Sequence, residues 1–166
     1  MRTALIFFLL ALPTWAQEKA TIGATDSACG PNNIKFDVKL DNSQHGVAQP
    51  EPGKARVYFI QDRGGQSFGI GGSVEAMIGV DGTWVGANRN NSYFSVTVEP
   101  GEHHACADMH SVELANFNAE AGGIYYFRVR AVGTGYGVYL FLDSVNSDEA
   151  KHLIASFPMS VSQPKK

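Results

Sequence analysis

The chain has 166 residues, 44% of them hydrophobic and 17% charged, with a formal net charge of -3. That balance excludes a basic field for nucleic acid or anionic lipid, since the longest basic run is Lys165-Lys166 at the very end. The length suits one domain with its own core, and 18 glycines among so few charges point to a β-rich exported protein.

In chain order, Met1-Arg2-Thr3 is a short basic start, residues 4–12 are apolar, and Pro13 breaks the run before Thr14-Trp15-Ala16-Gln17. This is the pattern of a secretory signal peptide over residues 1–16, with Gln17 as the mature start. The apolar run is too short for a membrane span, which needs roughly 20 residues, and no later run is long enough either. Residues 17–54 read as an N-terminal arm that holds the first strand: Ile34, Phe36, Val38 and Leu40 alternate with Lys35, Asp37 and Lys39, the period of a half-buried strand. The β domain follows over 55–158. It opens on Ala55-Arg56-Val57-Tyr58-Phe59-Ile60-Gln61, a β-branched and aromatic run expected to be a central strand. Residues 64–73 are too Gly-rich for a regular element and read as a mobile loop, a place where recognition gathers when the scaffold is rigid.

Asp81-Gly82 between Glu75-Ala76-Met77-Ile78-Gly79-Val80 and Thr83-Trp84-Val85-Gly86 predicts a two-residue type I′ hairpin. A turn at 88–91 leads to a strand over 92–98. Glu99-Pro100-Gly101-Glu102 has the type II turn pattern, and residues 103–108 return as the next strand. Further strands are expected over 111–119, 124–132 and 136–143, separated by Glu120-Ala121-Gly122-Gly123 and Gly133-Thr134-Gly135. Ser147 is the expected N-cap of one short C-terminal helix, with Asp148 and Glu149 in its first turn, and residues 159–166 read as a flexible tail. The fold class is all-β: an antiparallel, β-sandwich-like meander with that single helix.

The strings Val80-Asp81-Gly82, Ser92-Tyr93-Phe94 and Pro100-Gly101-Glu102-His103, with Ala121-Gly122-Gly123-Ile124-Tyr125-Tyr126 and the Ala55 strand, resemble a family of small exported bacterial domains of unknown function. The hairpin is also similar to PEGA-type surface modules. The resemblance runs over about residues 55–156. It implies a fold and no catalytic residue, because the matched positions are turn formers and core residues. Some relatives are lipoproteins, whereas this chain has no lipobox Cys.

Two cysteines, Cys29 and Cys106, in an oxidising compartment read as a disulfide, with buried free thiols as the rival. Cys29-Gly30-Pro31-Asn32 has the spacing of a C-G-P-C redox motif with Asn32 in place of the second Cys, and it reads instead as a stapled turn. His103 and His104, adjacent on a strand, face opposite ways. His104, Cys106, Asp108 and nearby His110 form the alternative reading, a small metal- or redox-linked envelope protein. There is no Gly-x-Ser-x-Gly elbow, no phosphate loop and no singled-out carboxylate pair among Asp37, Asp62, Glu75, Asp81, Glu113 and Asp143. The sequence therefore points to a periplasmic or secreted, non-enzymatic module without a cofactor. Its expected partner is a protein, peptide or glycan of the envelope, met through the Gly-rich loop and the aromatics Trp84, Tyr93 and Phe68. Trp84, just after a hairpin turn, is the aromatic expected to be exposed.

Overall fold

The computed structural model describes residues 29–31, 34–43, 46–63, 73–109, 111–134 and 137–165. The expected signal peptide, most of the Gly-rich loop, Phe68 and His110 lie outside the described residues.

Strands β1 (Phe36–Asp41), β2 (Ala55–Asp62), β3 (Glu75–Val80), β4 (Thr83–Arg89), β5 (Ser92–Val98), β6 (Gly101–Asp108), β7 (Val112–Ala119), β8 (Ile124–Thr134), β9 (Gly137–Ser144) and β10 (Met159–Pro164), with helix α1 (Ser147–Ser156), build two sheets. The larger has the order β1-β10-β5-β2-β8-β9 and the smaller β4-β3-β6-β7. The all-β sandwich expected from the alternating segments is what the protein forms. Asp81 and Gly82 have φ of 50° and 75°, the two left-handed residues a type I′ turn requires, and Val80 pairs with Thr83 across it. A bulge follows, where the register shifts between Ile78 and Gly79.

The strand order departs from a meander. Consecutive strands pair only in β3–β4, β6–β7 and β8–β9. The turn at 99–100 carries the chain from the larger sheet to the smaller, and the turn at 120–123 carries it back. Two pairings are parallel, β2 with β8 and β10 with β5.

The main core lies between the sheets. Val57 and Phe59 of β2, Phe127 and Val129 of β8, and Phe94 of β5 face Ala76 and Ile78 of β3 and Ala105 and Ala107 of β6. Large rings meet small alanines, so the layers interlock. Phe59 stacks on Phe127 at 5.8 Å between ring centroids, and Phe117 of β7 reaches Phe127 at 5.2 Å. β2 is buried on both faces, as expected of a central strand. Its other face, Tyr58 and Ile60, packs under Ala150 and Ile154 of α1.

Two expectations at the C-terminus are corrected. The helix is capped by Asn146, whose Oδ1 accepts from the backbone N–H of Asp148 at 3.1 Å and of Glu149 at 3.0 Å, and Ser147 is already inside it. Residues 159–164 are β10, not a flexible tail. β10 pairs antiparallel with β1 from Met159↔Asp41 to Pro164↔Phe36. Its serines also close the edge of β4: Ser160 Oγ donates to the Ala87 carbonyl at 2.7 Å, and the Ala87 N–H donates to Ser162 Oγ at 3.0 Å.

Candidate functional site

The residues singled out in the sequence fall into separate places. Cys29 and Cys106 lie at disulfide distance, with Cα atoms 5.3 Å apart and 77 positions between them in sequence. Along β6, Ala105 and Ala107 enter the main core, so Cys106 faces the other way. There it joins Cys29, Phe36, Val38, Trp84 and Ala87 in a second apolar cluster. The exposure expected of Trp84 is corrected. The residue is only 8% exposed, because the arm folds back over the start of β4. Its indole N–H donates to the Pro31 carbonyl at 2.8 Å, and a Cβ on Gly30 would sit 2.9 Å from its ring. Tyr93 is buried too, 6.3 Å from the Tyr58 ring in the cluster beneath α1. Trp84 therefore offers no open face to a partner, and Tyr93 reaches only the small cavity on the α1 side of the larger sheet.

His103 and His104 do face opposite ways, one buried and one exposed. His103 Nδ1 lies 2.6 Å from Asp81 Oδ2 and Nε2 lies 2.7 Å from the Glu99 carbonyl. Its ring stacks on Phe117 at 5.3 Å. Both ring nitrogens meet acceptors, so the geometry suits the imidazolium, which donates from both. Burial alone pushes His103 down, but the bonds to Asp81 and to the Glu99 carbonyl, with the Asp81 charge, outweigh it and raise the group above 6.5. Burial likewise pushes Asp81 up. The His104 N–H at 2.9 Å, the bond from His103 and the two imidazoles outweigh that and hold its carboxyl below 3.8. Asp81 thus works twice, as a turn residue through its backbone and as a clamp through its carboxylate.

Of the alternative metal set, His110 lies outside the described residues, and Cys106 and His104 have other partners. Cys106 faces Cys29, and His104 Nδ1 lies 2.8 Å from Asn116 Oδ1. Among the described residues no group of three or more His, Cys, Asp or Glu side chains is placed to hold a metal ion. The carboxylates mostly face bases. Asp62 and Glu149 flank Arg128, Asp143 meets Arg130, Glu75 meets Arg89, and Asp37 meets Lys165.

One concavity among the described residues is one the sequence did not announce. Its volume is about 650 Å³, and it lies between β7 and the β8–β9 pair, lined by Asn116, Phe117, Tyr125, Tyr126, Leu142 and Ser144. A second hollow of about 310 Å³ at His103 and His104 shares Asn116 and Phe117 with it. The long sides of the cleft are β7 and β9, the last strands of their sheets. Neither contains Pro or Lys, and each carries a single charged residue, Glu113 in β7 and Asp143 in β9, where Pro and charged side chains commonly blunt a sheet edge. Val112 and Leu114 of β7 and Tyr139 and Phe141 of β9 are exposed. Amino-acid pattern alone marks such strands but not which of them end a sheet, so the cleft had no signature to read.

Among the described residues no helix is long and apolar enough to cross a membrane. No curated protein and no solved structure matches the chain. Residues 51–138 match the family described as a protein of unknown function, DUF2846, which takes in β2 to β8, the VDG hairpin and the wall of the cleft formed by β7. The chain belongs to the DUF2846 family.

Proposed function

We propose that this DUF2846 protein is an exported, periplasmic or secreted, non-enzymatic binding module. Cys29 and Cys106 form a disulfide in it, and the ligand is an extended peptide segment of an envelope protein held in the β7–β9 cleft. The observation that carries this reading is the pair of edge strands, free of Pro and Lys, that flank one cleft. An extended peptide adds to such an edge through main-chain hydrogen bonds, while alternate side chains enter the groove. On the opposite flank the serines of β10 bond to the edge of β4 at Ala87. His103 supports binding over catalysis, because both its nitrogens are engaged. The leader-like start and the cysteine pair support export.

The test uses protein purified from an oxidising compartment. Its intact mass is expected to match a mature form starting at Gln17 and two hydrogens lighter than the reduced form. The same protein, isotopically labelled, is then titrated with peptides of about eight residues that alternate apolar and polar side chains. Binding is expected to shift β7 and β9 amides and to weaken by at least about tenfold in Ala115→Trp, which fills the cleft. Peptides that shift other surfaces, or that bind the variant as well as the parent, overturn the cleft as the site.

A further inference from the structure

A smaller cavity, of about 300 Å³, lies away from the cleft on the face of the larger sheet that carries α1. It is lined by Val47, Ala48, Arg56, Tyr58, Ser95 and Met159 among others. Its polar side chains are Arg56, Ser95 and the phenols Tyr58 and Tyr93. Arg56 Nη1 donates to Ser95 Oγ at 3.2 Å, and Arg56 Nε is buried with no partner among the described residues. Arg89, Arg128 and Arg130 each face a carboxylate, but Arg56 is in no ion pair among the described residues. Tyr58 is only 2% exposed, and its hydroxyl accepts from the Ala48 N–H at 2.7 Å. The proton of that hydroxyl meets no acceptor among the described residues. Ser95 Oγ accepts from Arg56 and still has its own proton to donate. The nearby acid Asp41 is held in its own turn, where it accepts from the Ser43 N–H at 2.8 Å and hydroxyl at 2.6 Å.

Buried donors without acceptors are costly, and a cationic one more so. A guanidinium, a phenol proton and a serine proton round one small cavity call for a single acceptor-rich anion. A carboxylate fits them, because its oxygens take several donors and pair with the planar fork of Arg. Val47, Ala48 and Met159 supply an apolar flank for whatever carries it. We propose that this cavity is a binding site for a carboxylate borne on a small aliphatic body, either a free acid or the C-terminus of a peptide ending in an aliphatic residue. Arg56, Tyr58 and Ser95 are its donors. The site is independent of the β7–β9 cleft and stands or falls without it.

The experiment follows the Arg56 Nε–Hε resonance during titration with 4-methylpentanoate, with the peptide acetyl-Ala-Ala-Leu, with the methylamide of that peptide, and with inorganic phosphate. Both carboxylates are expected to shift the resonance saturably, and the methylamide to leave it unmoved. A peptide bound at least about tenfold tighter than the free acid assigns the site to peptide C-termini, and equal binding assigns it to free acids. Arg56→Gln and Tyr58→Phe, each checked for an unchanged fold by its amide spectrum, are expected to lose about tenfold or more in affinity, and Arg56→Lys less. The proposal is overturned if no carboxylate moves the resonance below about 10 mM. It is overturned equally if the methylamide or phosphate binds better than the acid, or if Arg56→Gln binds like the parent.

Discussion

At the scale of single residues, His103 and Asp81 join the tip of the β3–β4 hairpin to the first residues of β6 and to the Glu99 carbonyl behind them. The charges on this pair set a pH window. His103 is raised above 6.5 in the folded protein, so its contribution is fully present below 6.5 and fades as pH rises through the raised value. Asp81 is lowered below 3.8, so its contribution is fully present above 3.8 and fades as pH falls through the lowered value. Between the two the clamp is complete. His103→Gln is therefore expected to cost about 1–2 kcal/mol at pH 5, the low side because Asp81 is open to solvent, and clearly less at pH 9. Urea unfolding of both proteins at the two pH values gives the difference, and an equal loss at both would mean that the imidazole acts by shape alone. Asp81 was legible as a turn former because Asp-Gly acts within a few residues. Its carboxylate partner was not legible, because His103 arrives only when β3 pairs with β6.

The strands and the helix tell the same story at the next scale. Alternation found β1, β5 and β7, and turn chemistry found the β3–β4 hairpin, since each signal is local. The turn patterns at 99–102 and 120–123 mark changes of direction but not the crossings between sheets that follow there. A turn residue fixes the local change of direction and says nothing about which sheet the next strand joins. β10 was missed because Met159 and Val161 are its only large apolar residues and its serines look like tail residues. Those serines matter for where they sit. Gly86 has no side chain where Ser162 Oγ and the Phe94 ring approach to about 3 Å, and Ser160 supplies the donor that the buried Ala87 carbonyl would otherwise lack. Ser160→Ala is expected to destabilise by about 1–3 kcal/mol, the range for a buried backbone acceptor left unpaired. The exposed neighbour change Val161→Thr, in the same strand, is expected to stay within about 0.5 kcal/mol. Equal losses from the two, read by thermal or urea unfolding, would show that β10 contributes by bulk packing and that the serine bond to β4 is incidental.

Over the whole molecule, the buried apolar residues fall into three clusters: one between the sheets, one beneath α1 and one around Trp84 and Cys106. The core between the sheets is built by strands of both, and the cluster around Trp84 and Cys106 lies outside it, on the far face of the smaller sheet. The arm reaches that face at Cys29, 77 residues from its partner. A bond there removes a large loop entropy from the unfolded state, worth about 4 kcal/mol in the chain-entropy account. Its loss acts unevenly on the folded state. Trp84 is covered by Cys29, Gly30 and Pro31, and among the described residues what ties this cover to it, apart from the cysteine pair, is the indole bond to Pro31 and apolar contacts. The core of Phe59, Phe127 and Val129 does not touch that cover. Local opening is the expected first step when little apolar area secures a segment. Reduction, or Cys29→Ala, is therefore expected to lower global stability by about 4 kcal/mol. It is also expected to red-shift Trp84 emission and admit a quencher under conditions where the β2 and β8 amides still resist hydrogen exchange. The second tryptophan, Trp15, falls within the expected leader and is absent from a mature form starting at Gln17, so emission reports on Trp84 alone. If the red shift and the loss of β2 protection arrive together, the arm and the sandwich unfold as one unit, and the cysteine pair is a brace of the whole fold instead of a latch on one face.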